Sequence, residues 1–97
     1  LSAIKHNMKD FSGQIVVSLA GNDKGRFFAV LASGDGYVWY ADGRRRRAEK
    51  PKKKKIRHIR VVCESGLTDV PGATNGQIRK AVFRARTAMN QPSSYNI

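Results

Sequence analysis

From residue 13 onward the chain alternates short apolar stretches with turn-forming residues. "GQIVVSLAG" sets Ile15, Val17 and Leu19 on one face of a strand and Val16 and Ser18 on the other, the two-residue period of β structure. "NDKG" then turns the chain, because Asn and Asp tolerate turn geometry and Gly25 supplies positive φ. "RFFAVLA" is apolar throughout and predicts a second strand buried on both faces. "SGDG" is a Gly-rich hairpin turn. "YVWYA" predicts a third strand, with Tyr37 and Trp39 on one face and Val38 and Tyr40 on the other; it ends at the turn pair Asp42 and Gly43.

A fourth strand is predicted in "KIRHIRVV" from Ile56, Ile59, Val61 and Val62. Between the third and fourth strands, Arg44–Ala48 reads as a short edge strand or its approach, and "EKPKKKK" as a connector broken at Pro51. Short strands joined by tight turns point to a mostly β fold, a small antiparallel barrel.

The period then changes. Residues 64–73 carry the Gly, Pro and Asp of a linker, and "TNGQIRKAVFRARTAMN" predicts a helix over about residues 75–90. Thr74 and Gln77 have the spacing of a capping box. Ile78, Ala81, Val82, Ala85 and Met89 form one narrow apolar stripe. Phe83 lies off it, roughly 140° round from Ile78 at helical spacing, with Arg79 and Arg86 as its near neighbours. Residues 1–12 read as a loosely attached arm, 13–62 as the barrel and 63–97 as linker plus helix, with a frayed close in "QPSSYNI".

Charge changes the picture most. The net charge is +12, and Arg44–Arg60 holds eleven of the nineteen Lys and Arg residues against one acid, Glu49. Such a balance implies a polyanionic partner, nucleic acid before an anionic membrane. Because strands bracket it, the run is not a free tail. A solvated cationic face or a targeting tract has the same composition, but such tracts are displayed in flexible segments. The candidate nucleic-acid contacts within it are Arg44, Arg45, Arg46, Arg47, Lys50, Lys52, Lys53, Lys54, Lys55, Arg57, His58 and Arg60. Lys and Arg neutralise phosphates and release condensed counterions, and Arg adds a planar fork that also stacks on bases. Lys24 and Arg26 extend the set at the first turn, where Gly21 and Gly25 let the backbone approach a phosphate. Phe83, Arg79 and Arg86 suggest a partner contact, protein or RNA, weighed equally against Phe83 packing on the barrel. Most of the "YVWY" aromatics are expected to fill the barrel or its seam.

The remaining chemistry is sparse. Cys63 is the single cysteine, so no internal disulfide forms; a buried, inert thiol in a reducing cytoplasmic setting is the simpler expectation. No apolar run approaches the ~20 residues of a membrane span, and whether an N-terminal segment has been trimmed stays open. His6 and His58 lie far apart, one cysteine makes no zinc cluster, and "GNDKGR" lacks the spacing of a phosphate-binding loop. No catalytic residue, metal site, cofactor or small-molecule substrate is predicted.

"GQIVVSLAGNDKGRFFAVL" resembles a KOW motif: a strand, a Gly-containing turn with a basic residue, and a second strand. "KKKKIRHI" is similar to the basic strand ending of the large-subunit ribosomal protein family numbered fourteen in the archaeal and eukaryotic naming. Short bacterial KOW-domain RNA-binding proteins grouped with that family look closer still, sharing "AGNDKGRFF" and "EKPKKKKIRH". The resemblance runs from Gly13 to Ile59. It implies an SH3-like barrel that binds ribosomal RNA, the large subunit favoured, without catalysis. Lys24 and Arg26 would be its turn contacts, and Lys52, Lys53, Lys54, Lys55, Arg57 and His58 its basic strand. The C-terminal helix departs from the ribosomal pattern, which leaves a constitutive ribosomal protein and an accessory factor both open. A transcription- or translation-coupled factor, gripping nascent RNA and a polymerase or other protein, is the alternative.

Overall fold

Each predicted apolar stretch contributes to a strand, though two boundaries in the basic run move. In the computed structural model, which describes residues 9–90, the strands are β1 (Gln14–Ser18), β2 (Phe27–Gly34), β3 (Tyr37–Ala41), β4 (Lys52–Lys55) and β5 (Ile59–Glu64), followed by a helix, α1 (Asn75–Asn90). Residues 1–8, with His6 and most of the predicted arm, and the closing segment 91–97 lie outside the described residues.

The strands form one antiparallel sheet in the order β4-β3-β2-β1-β5. β4 and β5 are therefore opposite edges, yet only the 3₁₀ turn Ile56–His58 joins them. Laid flat, five strands would hold their edges about 19 Å apart at ~4.8 Å per spacing. Three residues of 3₁₀ helix advance only ~6 Å. The sheet must curl on itself, which yields a small SH3-like antiparallel barrel with a C-terminal helix. Irregularities in register, between Ile15 and Val16 on β1 and between Val30 and Ala32 on β2, assist the curl. The β2–β3 hairpin closes through Asp35 at φ 55° and Gly36 at φ 83°, the paired positive φ values that match strand twist.

Alternation along each strand feeds two cores. Inside the barrel, Val16, Phe28, Val30, Val38, Tyr40 and Ile59 pack together, with the Phe28 and Tyr40 rings stacked at 4.0 Å. On the outside, Ile15, Ala29 and Ala41 meet Ile78, Ala81, Val82 and Ala85 of α1. Small residues on β2 and β3 let the helix sit close, so barrel and helix form one unit. The capping box is complete: Thr74 Oγ1 accepts the Gln77 N–H at 3.1 Å and Gln77 Oε1 accepts the Thr74 N–H at 3.0 Å.

A charge network closes the barrel end beside the β1–β2 turn. The Asp23 carboxylate accepts hydrogen bonds from the Tyr40 hydroxyl, from Ser18 Oγ at 2.7 Å, and from Lys54 Nζ at 3.0 Å and Lys52 Nζ at 3.3 Å. Lys54 Nζ also donates to the Ala20 carbonyl at 2.7 Å. Burial pushes the Asp23 carboxyl up, but the Tyr40, Ser18 and Lys54 donors outweigh it and hold the group well below the usual carboxylate range. Burial, reinforced by the bond to Asp23, raises the Tyr40 phenol above its ordinary value.

Several predictions of the pattern are corrected. Lys52–Lys55 is a strand rather than a connector, and Ile56–His58 is a turn rather than strand. An unbroken lysine run hides its alternation, because Lys52 and Lys54 point to Asp23 while Lys53 and Lys55 point outward. Leu19 leaves β1 and is exposed, its N–H donating to the His58 carbonyl at 2.8 Å. Met89 is exposed, and Ala85 is the last buried position among the helix residues whose burial is described. Cys63 is exposed rather than buried: it sits on β5, an edge strand, within a strand that runs two residues past the predicted barrel boundary. Among the described residues no helix is long and apolar enough to cross a membrane.

Replacing Asp23 with Asn should cost about 3 kcal/mol, since it leaves the Lys54 ammonium buried without its counter-charge. Because the native carboxyl is held below its unfolded value near ~3.9, its contribution is complete above that range and fades as pH falls below it. Urea denaturation from pH 7 down to pH 2.5 should therefore show a steeper acid loss in the wild type than in Asp23→Asn; parallel profiles would remove Asp23 from this role.

Candidate nucleic-acid interface

The segment between β3 and β4 carries the four arginines Arg44–Arg47, and its backbone is folded on itself rather than extended. Asp42 Oδ1 accepts the N–H groups of Arg44 at 2.8 Å and Arg46 at 2.9 Å. The Arg46 carbonyl in turn accepts the N–H groups of Asp42 at 2.9 Å and Gly43 at 3.1 Å. These local bonds fold the backbone into bends and turns, so the predicted short edge strand at Arg44–Ala48 is a compact loop instead.

The N-terminal end of α1 clasps this loop. Arg79 donates to the Gly43 carbonyl at 2.9 Å, and Asn75 Oδ1 accepts the Ala48 N–H at 2.7 Å. Asn75 Nδ2 donates to Glu49 Oε1 at 2.6 Å, and that amide is the main reason the exposed Glu49 carboxyl lies below its usual range. Gly43 is buried with φ 79°, and a side chain there would collide with the Asn75 carbonyl oxygen. Ala48 packs against the outer core. The loop is thus fixed at both ends, leaving Arg44 and Arg45 exposed between them.

Across from the loop, the β1–β2 turn presents Arg26, and α1 presents Phe83 and Arg86. Together with Arg44, Arg45 and Arg79 they surround a cleft of about 440 Å³, with Phe27 and Val82 among its apolar lining. Five guanidinium groups face it with one carboxylate, Asp42, whose Oδ1 is already bound to two backbone N–H groups. Two unit charges ~8 Å apart in water repel by about 0.5 kcal/mol. Crowding arginines this way opposes folding slightly unless an anion arrives. Phe83 remains 60% exposed at the rim.

The other predicted contacts divide into groups. Lys53 and Lys55 project outward from β4. Lys53 Nζ lies 4.3 Å from the Tyr37 ring centroid and 5.8 Å from that of Trp39, a cation over half-buried aromatics on the outer face. Lys24, Lys50, Arg57 and Arg60 are exposed and His58 is half-buried. Arg46 is half-buried within the loop, and Arg47 is exposed and paired with Glu49 at 3.4 Å. Lys54, only 8% exposed, is corrected: its ammonium is committed to Asp23 and Ala20 and is not available to a ligand. Lys52 shares that commitment in part.

Sequence reasoning placed Arg26, Arg44 and Arg45 in one group and Phe83, Arg79 and Arg86 in another, whereas the fold brings all six together. It missed Asn75 as the loop's anchor, which has no local signature because the contact spans 27 positions. Asp42, the shaping residue, was legible only as half of a turn pair. No known protein-family model matches the chain, and no curated protein matches its sequence.

Asn75→Ala should free the Ala48 N–H and the loop with it, costing about 1 kcal/mol of stability. Amide hydrogen exchange at Arg46 and Ala48 should accelerate while β1 and β2 amides keep their relative protection. Unchanged exchange in the loop would show that Asn75 does not hold it.

Proposed function

We propose that the protein binds structured RNA through its fixed arginine loop and the outward lysines of β4, and that it acts by binding alone. Ribosomal RNA of the large subunit, in the cytoplasm, is the target implied by its KOW-like stretch. One observation carries the reading: Arg26, Arg44, Arg45, Arg79 and Arg86 converge on one cleft, drawn from a turn, a loop and a helix that share no local sequence. Arg79 also anchors the loop through the Gly43 carbonyl, but among the described residues the other four make no ion pair that would draw them together. Among the described residues the ion pairs engage Arg47, Lys52 and Lys54, so the cleft arginines retain their charge for a ligand.

The mechanism is electrostatic docking on a pre-shaped surface. Each phosphate taken up releases condensed counterions, which supplies affinity but little sequence information. A loop already fixed by Asp42, Asn75 and Arg79 loses less conformational entropy on binding than a flexible tail of equal charge. Arginine forks suit phosphate oxygens, and the aromatic rings near Lys53 and at Phe83 suit unstacked bases, the elements that RNA exposes in loops and bulges.

Contact with about six phosphates should give a log–log slope of affinity against salt between roughly −4 and −5. Arg44→Ala combined with Arg45→Ala should lower affinity for a structured RNA by about tenfold to a hundredfold and flatten the slope by roughly 1–2 units, in fluorescence anisotropy titrations. Crosslinking in cells followed by RNA identification tests the target. A flat salt dependence, or crosslinks free of ribosomal RNA, would count against the respective part of the reading.

A further inference from the structure

We propose that the cleft between the Arg44–Arg45 loop and α1 captures a single unpaired nucleotide of the bound RNA, its base against Phe83 and its phosphate against the surrounding arginines. The inference rests on the RNA-binding reading and adds a specific contact to it.

Phe83 is what the electrostatic account leaves unexplained. It sits off the stripe of Ile78, Ala81, Val82 and Ala85 that docks the helix, so the fold does not need it. An exposed phenyl ring among guanidinium groups is unfavourable for solubility and contributes little to phosphate binding. It does match the flat face of a nucleobase, and every base has such a face. Arg79 and Arg86 lie four residues before and three after it on the helix, the spacings that bring side chains beside one another.

Size and chemistry narrow the occupant. A volume of about 440 Å³ lies within the ~300–1,000 Å³ of small-ligand sites. It suits one nucleotide and is far too small for a paired helix to enter. Val82 is buried and Phe27 half-buried, giving an apolar lining, while Arg44, Arg45 and Arg86 are exposed around it. An apolar slot ringed by anion-binding forks reproduces, in complement, a base with its phosphate. A protein partner would instead anchor on several clustered apolar side chains. Of the large apolar residues exposed among the described residues, Leu19, Val61 and Met89 line no part of this cleft.

The test uses the full chain and three RNA hairpins of equal length: fully paired, with a single-nucleotide bulge, and with an abasic bulge. The wild type should bind the bulged hairpin roughly tenfold more tightly than the abasic one. Phe83→Ala should bring that ratio close to one by weakening binding to the bulged hairpin far more than binding to the abasic one, and Phe83→Trp should preserve it. Equal affinity of the wild type for bulged and abasic hairpins overturns the proposal, as does a ratio that survives Phe83→Ala. Free nucleoside monophosphate is titrated in parallel: Phe83-dependent binding of it, with no gain from the bulge, overturns the assignment to RNA and makes a soluble nucleotide the ligand. Failure of the underlying reading is seen separately, as absence of salt-dependent binding to the fully paired hairpin.

Discussion

A part-buried carboxylate at one end of the barrel organises much of this protein. Asp23 leaves the β1–β2 turn and is met by donors from three strands: Ser18 on β1, Tyr40 on β3, and Lys52 and Lys54 on β4. Removing an ion from water costs several kcal/mol, and only well-placed donors offset that. Here they do, and the consequence reaches the surface. Once Lys52 and Lys54 turn inward to Asp23, the pleat requires Lys53 and Lys55 to turn outward. The pairing of Trp39 with Lys53 then places the Lys53 ammonium over the aromatic rings of β3. A buried interaction thus sets the pattern of exposed charge on that edge. Lysines along an edge strand also discourage pairing with another chain.

The second constraint is the packing of α1 on the outer face. Ile15, Ala29 and Ala41 are small or flat enough for Ile78, Ala81, Val82 and Ala85 to reach the sheet. That contact brings the first turn of the helix to Gly43, where absence of a side chain permits the approach. Arg79 and Asn75 can then bind the loop backbone. The same helix therefore supplies structure on one face, loop anchorage at its start, and cleft-lining side chains on a third side.

These two constraints account for how so many cations are held without collapse of the surface. Local charge repulsion at the cleft is modest per pair and is opposed by hydrogen bonds to backbone atoms, which do not neutralise the arginines. Charge thus remains while geometry is fixed. That combination is the physical basis of the RNA-binding proposal.

Strand punctuation, the inward positions Val38 and Tyr40, the capping box of Thr74 and Gln77, and the place of Phe83 off the apolar stripe were all determined by local sequence. Each depends on a period or a spacing of a few residues, which a linear chain displays directly. The fate of "KKKK" was not, since four identical residues carry no period; pairing with β3 and the distant Asp23 decided which lysines are structural and which are free. The conversion of Arg44–Ala48 from strand to loop, and the meeting of Arg26, Arg44 and Arg45 with Phe83 and Arg86, belong to tertiary structure alone. They arise where a turn, a loop and a helix pack against one sheet, and no spacing along the chain encodes that encounter.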